Sequence, residues 1–262
     1  MRYLLPLSAL AVCLAVAVRS TWSPCGLSML STITPMGERT RGRRYAATVR
    51  WFVAGGLCLG ALMAALAAAV RAVGASTTWT AAGALGACVL VAASDLRVLG
   101  VGLPVHHRQV NERWLDEFRP WVYGAGFGWQ LGTGLATYIT TGGVYLLIVL
   151  GALGADPLTA LELGVLFGMA RGLAIAAGRG VAGPEALLAL HRRLAVLEPA
   201  SRRLVVATVL AAAAVLAVPL VPGAERAAGA VLVAAAAAVV LLAAWATATV
   251  TAMARGLTPA EA

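Results

Sequence analysis

Cys25 is the residue in this chain best placed to do chemistry. It stands in the run Ser23-Pro24-Cys25-Gly26-Leu27-Ser28-Met29-Leu30, with Pro35 a little further on. Proline and glycine on either side of it, inside an apolar stretch, mark a helix whose hydrogen-bond ladder is interrupted. If backbone N–H groups at such a break point at the sulfur, they favour the thiolate, the form that exchanges disulfides. The competing reading is a small buried core cysteine, which is inert.

A second segment repeats the first. Thr133-Gly134-Leu135-Ala136-Thr137-Tyr138-Ile139-Thr140 matches Cys25 to Thr32 at Gly, Leu and Thr under a constant offset. Polar breaks at membrane depth are tolerated only against protein or a wet cavity, and one in each half of a chain points to a transport-type site between internal repeats. Around these breaks Thr32, Thr34, Thr133, Thr137, Thr140 and Thr141 offer hydroxyls, and the breaks free carbonyls, that could hold a small solute or ion. They could equally bond back to their own helices. Gln130 and Tyr138 add directional polar groups, and Arg171 is the one arginine well inside an apolar span. An intramembrane charge costs at least about 2.5 kcal/mol if central, so Arg171 needs an anion or solute in a cavity, a partner such as Asp95, or a route to the surface.

The elements that must position these residues are set by composition. With 61% hydrophobic and 12% charged residues and a mean hydropathy of +0.87, the chain is a multi-pass membrane protein in contact with the lipid bilayer, not a soluble globule. Its net charge of +9 comes from arginine alone, since there is no lysine. These arginines cluster in a few loops, which reads as topology and excludes a nucleic-acid-binding face. Cysteines 13, 25, 58 and 88 form no CxxC and no Cys/His cluster, so neither a metal site nor a disulfide framework is expected. The adjacent His106 and His107 read as solvated, and no cofactor motif, phosphate loop or hydrolytic triad occurs. The apolar start is followed by Arg19-Ser20-Thr21-Trp22 and not by a small-residue cleavage site, so it is read as part of the mature protein.

Apolar stretches at 3–35, 51–70, 77–98, 121–153, 157–177, 204–221 and 227–253 give an all-α fold of about seven spans. Arginine-rich connections follow the first, third and fifth, which places those loops and the C-terminus in the cytoplasm and the N-terminus outside. Two triplets of opposite orientation result, each opening with a long interrupted segment: an inverted pair of three-helix repeats plus one C-terminal helix. The expected division is a first repeat over 1–100, a second over 101–203 with its cytoplasmic loops, and C-terminal helices over 204–262, the first of which completes the second repeat. The stretch 184–199, with leucines among His191, Arg192 and Arg193, reads as a basic amphipathic helix at the membrane surface. Trp51, Trp79, Trp114, Trp121 and Trp245 read as interfacial anchors.

The Ser23-to-Leu30 run with Pro35 resembles the Pro-Cys motif on the first helix of the CcdA/DsbD-type transmembrane family, within the broader LysE-like superfamily. The resemblance covers spans one to six. It implies two inverted three-helix repeats, each opening helix holding one reactive cysteine, which together pass reducing equivalents from a cytoplasmic thioredoxin-like protein to an extracytoplasmic thiol partner. Cys25 corresponds to the first cysteine and Pro24 to the proline before it. The second half is degenerate: Thr133, preceded by Gly132, stands where the second cysteine belongs, and threonine has no redox chemistry. Cys58 or Cys88 could replace it only with Cα atoms within roughly 7 Å.

Two functions are therefore expected. One is a bacterial plasma-membrane, transport-type protein that handles thiol reducing equivalents through Cys25, as in cytochrome c biogenesis or disulfide reduction, and is at most a thiol–disulfide relay as an enzyme. The other is a non-redox permease or exporter of a small solute or ion, with Pro24, Gly26, Thr32, Pro35, Gln130, Thr133, Gly134, Thr137, Tyr138, Thr140 and Arg171 along its pathway.

Overall fold

The computed structural model describes residues 3–97, 102–104, 108–154 and 156–220. Within them the chain is all-helical, in eleven α-helices. The candidate span 227–253, Trp245 and the His106-His107 pair lie outside the described residues.

Helix α1 (Leu4–Arg19) runs into a 3-10 turn at Ser20–Trp22 and stops at Ser23. There the backbone becomes extended, and the Ser23 hydroxyl accepts from the Gly26 N–H at 3.0 Å while Pro24 takes the first position of α2 (Pro24–Thr32). Proline is favoured at that position because its missing donor would be unpaired anyway. The same device opens α3 (Pro35–Thr40): Thr34 caps, Pro35 follows. The first interruption thus falls where the proline and serine pattern places it.

Helices α4 (Tyr45–Gly56) and α5 (Cys58–Val73) form one long rod, and α6 (Thr77–Asp95) follows a turn at the left-handed Gly74. A short α7 (Trp114–Glu117) precedes α8 (Pro120–Gly132). Residues 133–142 form no helix, and the chain resumes in α9 (Gly143–Leu153). Gly134, at φ +69, turns the chain just after α8, and a Cβ there would also press on Val144 at 2.8 Å. Helix α10 (Pro157–Ala174) and the long α11 (Pro184–Ala217) complete the bundle. The basic stretch 184–199 is the first half of α11, continuous through Pro199 with the following span; it is not a separate surface helix.

Among the described residues five helical rods are long and apolar enough to cross a membrane: Leu4–Trp22, Tyr45–Val73, Thr77–Asp95, Pro157–Gly180 and Pro184–Ala217. The broken pair α8 and α9 lies among them, and α9 is a shorter apolar helix. Helix α10 sits at the centre, against α1, α4, α5 and α8. It crosses the α4–α5 rod where Gly168 meets Gly56 and Gly164 meets Gly60, so closely that a Cβ on Gly168 would lie 1.8 Å from the Gly56 carbonyl oxygen. Small residues at such crossings let helices without a hydrophobic driving force gain van der Waals contact. The main core joins Val12 and Val16 of α1, Leu59 and Met63 of α5, Leu147 of α9, Phe167 of α10 and Val209 of α11.

Candidate functional site

The first break is a built site. Cys25 lies in the opening turn of α2 and is 1% exposed. It packs in a second apolar cluster with Met29, Phe52, Phe127, Leu131 and Ile175, and Tyr138 from the second break lies against the same cluster. Its Sγ–H donates to the Arg108 carbonyl at 3.7 Å. Segment 108–118 covers it: Val110 and Leu115 are buried in its cluster, Ser28 donates to Glu112, and Arg43 donates to the Leu115 carbonyl at 2.6 Å.

Arg171, in the last turn of α10, faces the same break. It is 6% exposed, and its guanidinium lies 5.6 Å from the centroid of the Phe167 ring. No carboxylate among the described residues pairs with it. Escape to the surface is ruled out by its burial, and Asp95 is not its partner. Between Arg171, Ser20, Thr21, Gly26, Leu30 and Leu131 there is a crevice of about 10 Å³, the size of one water. A Cβ on Gly26 would lie 2.6 Å from the Thr21 carbonyl oxygen, so only glycine lets the restarted helix fold back this tightly on the turn before it.

A larger cavity, about 470 Å³, opens at the second break and is lined by Arg19, Asp95, Arg97, Thr140, Tyr145 and Arg202 among others. Asp95 ends α6 and caps α9 from across the fold: it accepts from the Gly142 N–H at 2.9 Å and from the Thr141 hydroxyl. Arg19 pairs with Glu198 at 2.8 Å and donates to Ser201. Because Arg19 lines the larger cavity while Ser20 and Thr21 line the crevice, the end of α1 is the wall between the two.

The other sequence candidates divide. Pro24 and Pro35 start helices. Thr32 bonds back to the Ser28 carbonyl at 2.9 Å and Thr133 to that of Gln130 at 3.2 Å, each within its own helix end. Thr137 is buried with no hydrogen-bond partner for its hydroxyl. The offset that aligns Cys25 with Thr133 joins unlike places, since Cys25 opens a helix and Thr133 closes α8. All four cysteines are free; Cys13 and Cys88 belong to the main core and Cys58, the first residue of α5, is exposed. No metal-binding group of three ligands occurs among the described residues. Trp114 is no interfacial anchor: it stacks on Phe127 at 5.8 Å, whereas Trp51, Trp79 and Trp121 are exposed.

Sequence reasoning missed Glu38. It is fully buried and accepts from Tyr123 at 2.6 Å, from Thr48 and from Arg41 at 3.4 Å, tying α3 to α4 and α8. The only local signal is its place in the first turn after Thr34-Pro35, where a carboxylate suits the helix dipole.

The class this geometry defines, over the described residues, is an all-helical membrane protein with five membrane-length rods and two polar breaks. No protein-family model and no solved structure matches it. Curated relatives do: methylamine utilization protein MauF of Paracoccus versutus is 31% identical over 166 residues, 60% of this chain and 59% of that protein. MauF of Paracoccus denitrificans is 28% identical over 172 residues, covering 63% and 61%, and MauF of Methylorubrum extorquens is 29% identical over 162 residues, covering 60% and 57%. The chain thus spans about three fifths of the length of the curated relatives it matches.

Proposed function

We propose that this is a multi-pass plasma-membrane accessory protein of methylamine utilization, built on two inverted three-helix repeats and carrying thiol reducing equivalents through Cys25. The N-terminus is outside, and the arginine-rich loops and the C-terminus are cytoplasmic. The MauF relatives support the physiological setting. The repeat is supported by the packing. Exchanging α1, α4–α5 and α6 with α8–α9, α10 and α11 maps the α1–α11 contact onto α6–α9 and the α1–α10 contact onto α5–α9, and leaves α1–α9, α5–α10 and α6–α11 in place. A seventh span at 227–253 completes the reading.

The observation that carries the thiol function is that Arg171 lines a crevice with Gly26, the residue next to Cys25, at the start of α2. The Cys25 thiolate attacks one sulfur of a partner disulfide, a mixed disulfide forms, and the partner's other sulfur leaves as a thiolate that takes up a proton. A thioredoxin-like dithiol then attacks the mixed disulfide at the Cys25 sulfur, releasing the partner's first sulfur as a thiol. The second carrier thiol displaces Cys25, leaving the carrier oxidised and the partner doubly reduced. No second cysteine of this chain is needed. Segment 108–118 must lift for either partner to reach the sulfur.

Acid quenching of intact membranes followed by non-reducing electrophoresis tests this. The wild type gives an adduct that a reductant collapses and that Cys25→Ser lacks. A wild type with free Cys25 and no adduct would instead favour the second reading, passage of a small solute, which the cavity at the second break supports.

A further inference from the structure

The cavity at the second break is built for an anion, and it stands apart from the thiol chemistry. Three arginines line it against one carboxylate. That carboxylate, Asp95, is already engaged by the Gly142 N–H and the Thr141 hydroxyl, so its charge is spent on capping α9. Arg19 is likewise spent on Glu198 and Ser201. Two cations remain with donors to offer. Arg202 has only a 3.5 Å contact to the Asp95 carbonyl, and Arg97 makes no ion pair among the described residues. Thr140 adds a hydroxyl to the lining.

Arg97 is held at φ +55, the only non-glycine positive φ among the described residues. This left-handed position after α6 is one that glycine fills at no cost and other residues at roughly 1 kcal/mol. An arginine there, on the wall of a cavity, carries strain that an ordinary helix ending would avoid. The volume of about 470 Å³ is in the range of small-molecule sites and exceeds what a bare oxyanion fills. The cavity sits at the ends of α1 and α6 and at Arg202 of α11, the arginine-rich end of the bundle, where basic pockets between helices meet lipid head groups.

We infer that this cavity binds a phosphate-bearing ligand, its oxyanion held by Arg97 and Arg202 with the Thr140 hydroxyl, and with room left for a glycerol-sized substituent. A phospholipid head group and a soluble organic phosphate share this chemistry, and the experiment separates them.

The full chain is purified in detergent and titrated with glycerol phosphate by thermal shift. It is also reconstituted into nanodiscs of phosphatidylcholine alone or with phosphatidylglycerol and melted. Stabilisation by glycerol phosphate identifies a soluble ligand, and stabilisation confined to phosphatidylglycerol discs identifies a head group. In either case Arg97→Gln and Arg202→Gln each weaken the response about fivefold, while Arg192→Gln, an exposed arginine on the first half of α11 outside the cavity, leaves it unchanged. Arg97→Gly guards against a folding artefact: it relieves the backbone and keeps the fold at least as stable, yet loses the response. No stabilisation by either probe, or equal losses in Arg97→Gln and Arg192→Gln, overturns the inference.

Discussion

Arg171 of α10 shares a small crevice with Gly26, the residue after Cys25 in the first turn of α2, and it is the one buried unpaired guanidinium among the described residues. The two come from opposite halves of the chain. Helix α10 brings Arg171 there because its Gly168 and Gly164 let it cross the α4–α5 rod in near backbone contact, and the turn at Ser20–Trp22 brings Cys25.

A cation kept at this cost should trade stability for function. Arg171→Met removes a buried charge while filling similar space, so the purified protein should unfold at a higher temperature, the gain being up to about 2.5 kcal/mol. Lower stability would mean that Arg171 is a structural contact.

The helix crossing is equally testable. Gly168→Ala puts a methyl into the Gly56 carbonyl and should cost about 1–3 kcal/mol. Gly86→Ala on α6, where nothing lies within 4 Å, should be neutral or gain up to about 1 kcal/mol from helix propensity. Thermal melts of the two variants in one detergent decide it.

Asp95 holds the second break to α6. Asp95→Ala should cost about 1–2 kcal/mol, and Thr141→Val less. The double variant should cost clearly less than the sum, because the two share one hydrogen bond. Additive losses in a thermal-melt cycle would show that Asp95 acts elsewhere.

Asp156 caps α10 outside the membrane-spanning segment. The Thr159 hydroxyl and the Thr159 N–H, at 3.0 Å, hold its carboxyl below the usual carboxylate range. The carboxylate form is favoured in the folded state, so its contribution is fully present above the unfolded value near 3.8 and is lost as pH falls through the lower folded value. Asp156→Asn should lower the melting temperature at pH 7, where that contribution is fully present, and the gap to the wild type should close as the pH falls below about 4 in a pH series of melts.

The breaks were legible because proline, serine and glycine announce local backbone states: Pro24 and Pro35 each stand at a helix start, and Gly134 at a left-handed turn. Membrane-length helices were legible from hydropathy, although 184–199 merges with the next span because its leucines Leu190, Leu194 and Leu197 stay buried against the bundle. Pairings between distant residues were not legible. Asp95, a sequence candidate for Arg171, turns instead to Thr141 and Gly142, because the unpaired N–H groups at the start of α9 lie nearer. Thr32 and Thr133, placed on a pathway by type, bond to their own helices, and the buried Glu38 network has no sequence signature beyond its cap.

The most direct measurement is the alkylation rate of Cys25 at pH 7 in reconstituted protein whose Cys13, Cys58 and Cys88 are replaced by alanine, with Arg171 intact or as Arg171→Met. A thiol served by the guanidinium should react in the folded protein and slow at least about tenfold without it. Equal rates in the two proteins, or a Cys25 that reacts only on denaturation, would contradict the account.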